Sequence, residues 1–180
     1  MKKMIVLLAW MLGTSAALFA NGDSSDNVVL NPSFEDGRKN WGKLVNAGKF
    51  NFSIDSTIAR SGKSAAKMEC TATNPKADGT WKQPKAWARW TQKVTVKPNT
   101  KYRFRCFARS LKDGKGKVTV YLSGNIKPNV IGFTEELDGE RWIEVRNDTF
   151  VAKGDTAVIY LNYYGEGTVW IDDVEMIEIK

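Results

Sequence analysis

The chain has 180 residues, 42% of them hydrophobic, and its 27 basic and 20 acidic residues give a formal charge of +7. That length supports one domain with one core, and not comfortably two. Histidine is absent, which excludes Ser-His-Asp and Cys-His nucleophilic arrangements and every imidazole metal site.

Residues 1–20 read as an export signal: Lys2 and Lys3 precede an apolar run from Met4 to Leu12, and small residues lead to Ala20. Cleavage after Ala20 sets Leu18 three positions before the cut, and cleavage after Ala17 sets Ser15 there; both sites stay open. The run is too short to span a bilayer, and no later apolar stretch approaches membrane length. The expected location is therefore outside the cytoplasm: secreted, periplasmic or at the cell surface. Residues 21–26 form a short polar leader, and residues 27–180 form the single domain. Without Lys2 and Lys3 the balance remains basic, but no dense basic block stands out. The excess either serves solubility or favours acidic polysaccharides and anionic envelopes, and nucleic acid is not an expected partner.

From Val28 onward, short extended segments are punctuated by Gly, Pro, Asn and Asp. The expected strands are Val28–Leu30, Phe50–Asp55, Ser64–Thr71, Ala88–Val96, Lys101–Arg109, Lys117–Ser123, Arg141–Val151, Ala157–Tyr163 and Thr168–Ile177. The alternation is clearest in Tyr102-Arg103-Phe104-Arg105-Cys106-Phe107-Ala108-Arg109, where apolar side chains share one face and, Phe107 excepted, arginines take the other. Lys97-Pro98-Asn99-Thr100 supplies a turn before this strand, and Lys112-Asp113-Gly114-Lys115-Gly116 a turn after it. Asn74–Pro84 is the longest segment that fits no strand, and it carries Trp81. No segment sustains a helical period. Short strands at this spacing predict an all-β, two-sheet antiparallel sandwich or jelly roll.

Cys70 and Cys106 are the only cysteines. Export permits a disulfide between them, and two buried free thiols explain their apolar-parity positions equally well.

The ordered set Val29-Leu30-Asn31-Pro32-Ser33-Phe34-Glu35-Asp36, Trp41, Ala59-Arg60-Ser61-Gly62-Lys63-Ser64-Ala65, Trp90-Thr91-Gln92, Pro98-Asn99-Thr100-Lys101-Tyr102 and Trp170-Ile171-Asp172-Asp173-Val174 resembles the CenC-type carbohydrate-binding modules, the families 4, 9 and 22 group. The likeness runs over about residues 27–178. It implies a galactose-binding-like jelly roll that binds glycans without cleaving them. It also implies a structural calcium between the first and last strands, for which Glu35 and Asp172 would offer carboxylates and Ser61–Lys63 a backbone carbonyl. Calcium accepts such hard oxygen ligands in flexible geometry. In the alternative, Glu35 and Asp172 cap turns and pair with Lys63 or Arg60.

Sugar recognition needs flat apolar faces ringed by planar hydrogen-bonding groups. Trp81 and Trp87 lie in or beside the long loop, where a core demands them least, whereas Trp41, Trp90, Trp142 and Trp170 fall at positions that look structural. If Ile159 and Leu161 face the core, then Tyr160, Asn162 and Tyr164 share the opposite face, and Tyr121 faces outward too. Arg89, Gln92 and Arg105 are candidate planar donors, and the arginine fork suits a carboxylated sugar. Gln92, however, shares the parity of Val94 and Val96, which points it inward.

Glycoside hydrolysis ordinarily needs two carboxyl groups about 5–10 Å apart across a cleft. Glu135, Glu136, Asp138 and Glu140 cluster on what reads as a solvated acidic turn, and Asp172 and Asp173 should point to opposite faces of a strand. The expectation is a non-catalytic, monomeric, exported binder of a polysaccharide or oligosaccharide, with an acidic one among the candidates. A domain for protein or envelope contact is the alternative, and a small glycan-active enzyme a third.

Overall fold

The computed structural model describes residues 26–80, 82–111, 115–127 and 131–180. The regular elements among them are all β-strands: β1 (Gly42–Ala47), β2 (Lys49–Asp55), β3 (Ala65–Ala72), β4 (Trp87–Thr95), β5 (Thr100–Ser110), β6 (Lys115–Lys127), β7 (Ile131–Asp138), β8 (Ile143–Gly165) and β9 (Gly167–Glu178). Every pairing is antiparallel.

The long strand β8 organises the architecture because its two halves have different neighbours. Residues 143–152 pair with β5, which continues through β9 and β3 to β2. Residues 156–164 pair with β4 on one side and β6 on the other, and β1 and β7 complete that layer. A strand that changes sheets needs a corner. Here the β6 register breaks between Gly124 and Ile126, and Gly124 has φ +97° with Thr156 O 3.3 Å from where a Cβ would stand. Any side chain there would crowd the β8 backbone.

Side chains from the two layers meet edge to face. Phe52 of β2 lies 5.0 Å from Trp90 of β4 at 88°, and Phe50 lies 6.3 Å from Tyr163 of β8 at 90°. These T-shaped contacts place a positive ring edge on a negative ring face. Strand alternation supplies the rest of the core: Ala88, Trp90 and Val94 from β4, and Tyr102, Phe104, Cys106 and Ala108 from β5, are all buried.

The segment before β1 closes the sandwich. Asn31 and Phe34 take left-handed backbone conformations, φ 51° and 58°, and the Asn31 side chain holds the bend. Its Oδ1 accepts from Asp36 N, and its Nδ2 donates to Gly37 O and Lys39 O. Phe34 is thereby turned into the core, 5.0 Å from Trp41 and 6.2 Å from Trp90. Val174 N donates to Pro32 O, and Asn27 exchanges hydrogen bonds with Val174 O and Met176 N. The two end motifs therefore do meet, along β9.

Several sequence expectations change. Val28–Leu30 is no strand, and only an isolated bridge joins Asn27 to Ile177. The reason is that Gln92 takes up the peptide of Leu30, accepting from its N–H and donating to its C=O, both at 2.8 Å. Strand β1 was not expected; its residues are nearly all exposed, so they show no alternation. Strand β7 includes Glu135, Glu136 and Asp138, which read as a turn; it pairs only with β6. The two segments expected at 141–151 and 157–163 form one strand, whose ladder runs up to both flanks of the turn-like Lys153, Gly154 and Asp155, with Ala152 opposite Ile126 and Ala157 opposite Gly124. Cys70 and Cys106 are free thiols. They lie on β3 and β5 with β9 between them, and Cys70 faces Gly167 while Cys106 falls where β5 passes Asp172 to Glu175.

Phe34→Ala should cost roughly 3–5 kcal/mol by urea unfolding, as expected for a buried aromatic. Leu30→Ala, at 53% exposure, should stay within about 0.5 kcal/mol.

Candidate functional site

The side of β4 and β8 opposite the core carries three cross-strand rows. Trp87 faces Tyr164, which faces Lys117 of β6. Arg89 faces Asn162, which faces Thr119. Thr91 faces Tyr160, which faces Tyr121. Residues two apart on each strand bring these rows to one face.

Within them, Trp87 stacks on Tyr164, with centroids 5.2 Å apart at 19°. The Arg89 guanidinium lies over the Tyr160 ring at 4.7 Å and 6.0 Å from the Trp87 ring. Asn162, fully buried beneath them, fixes the arrangement. Its Nδ2 donates to Thr119 O at 3.0 Å and to Tyr160 O at 3.2 Å, which leaves Oδ1 to accept from Trp87 Nε1 at 2.9 Å. Burial, reinforced by Tyr121 and opposed by Arg89, pushes the Tyr164 hydroxyl up to about 12, so it stays a neutral donor. Arg89 Nε is buried and has no hydrogen-bond partner. The face thus offers flat aromatic surface beside a fork of donors that lacks an acceptor.

Of the residues singled out in the sequence, Trp87, Arg89, Tyr121, Tyr160, Asn162 and Tyr164 are brought together here. Asn162 positions its neighbours from below instead of lying on the surface, because Trp87 and Tyr164 cover it. Gln92 is not part of the face: it points inward and holds Leu30. Arg105 is not part of it either; it projects from β5 in the other layer and pairs with Glu175 at 2.8 Å. Trp81 lies outside the described residues. Trp41, Trp90 and Trp170 are buried, and Trp142 packs against Arg109. The sequence did not reveal Leu44, 44% exposed and opposite Arg89 on β1, since β1 itself was not legible. Nor did it single out Lys117 or Lys93, whose places depend on strand register.

The residues considered for calcium flank the 60–64 loop from two sides. Glu35 Oε1 accepts from Lys63 N and Ser64 N at 2.8 and 2.9 Å. Asp172 Oδ2 accepts from Arg60 N and Ser61 N, and its Oδ1 from Asp173 N. Asp173 pairs with the Arg60 guanidinium and accepts from Ser61 Oγ. Adjacent Asp172 and Asp173 therefore reach the same loop, contrary to strict alternation, because the β5–β9 register breaks there and Asp173 has φ 49°. These oxygens face N–H donors, and among the described residues no three His, Cys, Asp or Glu gather as metal ligands. As folded, both carboxylates cap N–H groups of the 60–64 loop, the arrangement of the turn-capping alternative.

Burial and the neighbouring Asp173 carboxylate push Asp172 up to about 7, outweighing the N–H groups that favour its ionised form. An unfolded Asp loses its proton near pH 4. Between these values the folded protein holds the extra proton, so stability falls as pH rises from about 4 to about 7 and levels off above.

No family model matches the sequence, and no curated protein does. Solved structures do match. One is TmCBM61, a family 61 carbohydrate-binding module in complex with β-1,4-galactotriose, at TM-score 0.68 and 16% identity over 85% of this chain and 99% of that one. Another is a family 22 xylan-binding domain from Paenibacillus barcinonensis, at TM-score 0.57 and 11% identity, covering 82% of this chain and 92% of that one. A third holds the family 22 and catalytic modules of a Clostridium thermocellum xylanase with xylohexaose. It matches at TM-score 0.59 and 12% identity over 87% of this chain and 29% of that chain. The likeness shows the fold: an all-β antiparallel sandwich shared with these carbohydrate-binding modules.

Two outcomes follow for the loop. A chelator should leave the melting temperature unchanged. Asp172→Asn should flatten the decline in unfolding free energy between pH 4 and pH 7, measured by urea titration at both ends.

Proposed function

We propose that this chain is an exported, non-catalytic domain that binds a polysaccharide or oligosaccharide on the outer face of β4, β8 and β6. The observation that carries the reading is the Trp87–Tyr164 stack next to the Arg89–Tyr160 pair, held in place from below by Asn162. A pyranose ring presents axial C–H groups to such a surface and hydroxyls to its edge. Aromatic faces fixed before the ligand arrives bind it with little loss of conformational entropy. The Arg89 fork and the Tyr164 hydroxyl supply directional contacts.

The non-catalytic reading is supported by where the carboxylates lie. Glu135 and Glu136 are exposed on β7, and Asp172 is fully buried under the 60–64 loop. Carbohydrate-binding modules of this fold were solved with galactotriose and xylohexaose, which supports a glycan as the occupant of the face.

A glycan array should find a ligand, and Trp87→Ala should weaken binding to it by at least about tenfold, the scale of a central aromatic contact. Tyr160→Ala should weaken it too. Melting temperatures of both variants near that of the parent would show that the loss is local. Unchanged affinity in both would place any glycan site elsewhere, and reducing-sugar release from the bound polymer would overturn the non-catalytic part.

A further inference from the structure

The geometry points to a polysaccharide bearing carboxylates, a uronic-acid polymer, as the occupant of this face, with a carboxylate seated on Arg89. This rests on the glycan-binding reading and adds the charge of the ligand.

The first observation is what Arg89 lacks. Outward arginines of the other layer are answered by acids: Arg103 and Arg105 by Glu175 at 3.6 and 2.8 Å, and Arg109 by Glu140 at 3.9 Å. Arg60 pairs with Asp173. Arg89 is half-buried like Arg105 and Arg109, yet among the described residues no carboxylate pairs with it; its Nε, like that of Arg109, is buried with no partner. The neighbours it does have, the Tyr160 and Trp87 rings, fix the guanidinium plane without using its N–H groups. A carboxylate is the acceptor whose two oxygens match that fork.

The second observation is the charge of the whole face. On the outward positions of β4, of β8 from 156 to 164 and of β6 from 117 to 123, the charged residues are Lys93, Arg89 and Lys117, with no Asp or Glu. The first carboxylate met is Glu136, opposite Lys117 on β7. Strand register thus separates the charges of this chain. Acids and bases interleave on the layer that carries β5 and β9, whereas the outward positions of β4, of β6 from 117 to 123 and of β8 from 156 to 164 carry only bases. Such a one-signed field draws a polyanion, though less selectively than a fixed fork does.

The test compares polygalacturonate, alginate and glucuronoxylan with the same polymers after reduction of their carboxyl groups to primary alcohols, by isothermal titration of the mature chain. At least one acidic polymer should bind about tenfold or more tightly than its reduced form, the scale of a charge-assisted hydrogen-bond pair. Arg89→Gln should bring that ratio to about one, and Arg89→Lys, which keeps the charge and loses the fork, should remove most of it. Equal affinity for acidic and reduced polymers would overturn the inference, as would a ratio that survives both substitutions. Binding of neutral polymers alone, lost in Trp87→Ala, would keep the platform and reject the acidic ligand. Binding of none of the polymers, together with an empty glycan array, would reject both.

Discussion

A single buried amide sets the geometry on which the aromatic face of β4, β6 and β8 depends. Asn162 sits at 0% exposure between two aromatic rows, where an unsatisfied amide would cost about 1–3 kcal/mol. Its two N–H bonds are taken by the carbonyls of Thr119 and Tyr160, which dictates that its oxygen looks toward β4. Trp87 alone answers it there, and so the indole lies flat on Tyr164 instead of swinging into solvent. Arg89, opposite Asn162 in register, is left to lie over Tyr160 with donors unspent. Surface aromatics, guanidinium orientation and outward polarity all follow from one satisfied polar group in the layer below.

That amide is where it is because β8 belongs to both sheets. Its first half is locked to β5 and its second to β4 and β6, so the face cannot slide without disturbing the core that Trp90 and Tyr163 build with Phe52 and Phe50. A one-residue slip would turn Tyr163 out and Asn162 in. The chain-end seam supports the same layer from the other side: Gln92 of β4 holds Leu30, and Phe34 rests on Trp90. Scaffold and site are therefore mechanically continuous, although the residues of the two end motifs lie away from the aromatic face.

The sequence showed the sheet-forming alternation well wherever one face is buried and the other wet, as in β5. It failed at β1, which pairs with β4 alone and is nearly all exposed, so its residues carry no period, and at β7, where Glu135, Glu136 and Asp138 read as an acidic turn. Tyr160, Asn162 and Tyr164 were legible as one face because Ile159 and Leu161 alternate with them. That Asn162 is buried was not legible, since burial from that side comes from Trp87 and Tyr164 covering it. The inward pointing of Gln92 followed from parity. The separation of Arg105 from Arg89 did not, because it depends on which sheet each strand joins. Asp172 and Asp173 reach one loop through a bulge, and strict alternation cannot anticipate a bulge.

The most direct measurement is a crystal structure of the chain with an oligosaccharide drawn from the polymer it binds most tightly. The account predicts a sugar ring against the Trp87–Tyr164 stack, polar contacts from Arg89, and an Asn162 amide unchanged beneath them. An oligosaccharide seated on the opposite layer, at Trp142 and Arg109 or along the loops, with Trp87 uncontacted, would contradict it.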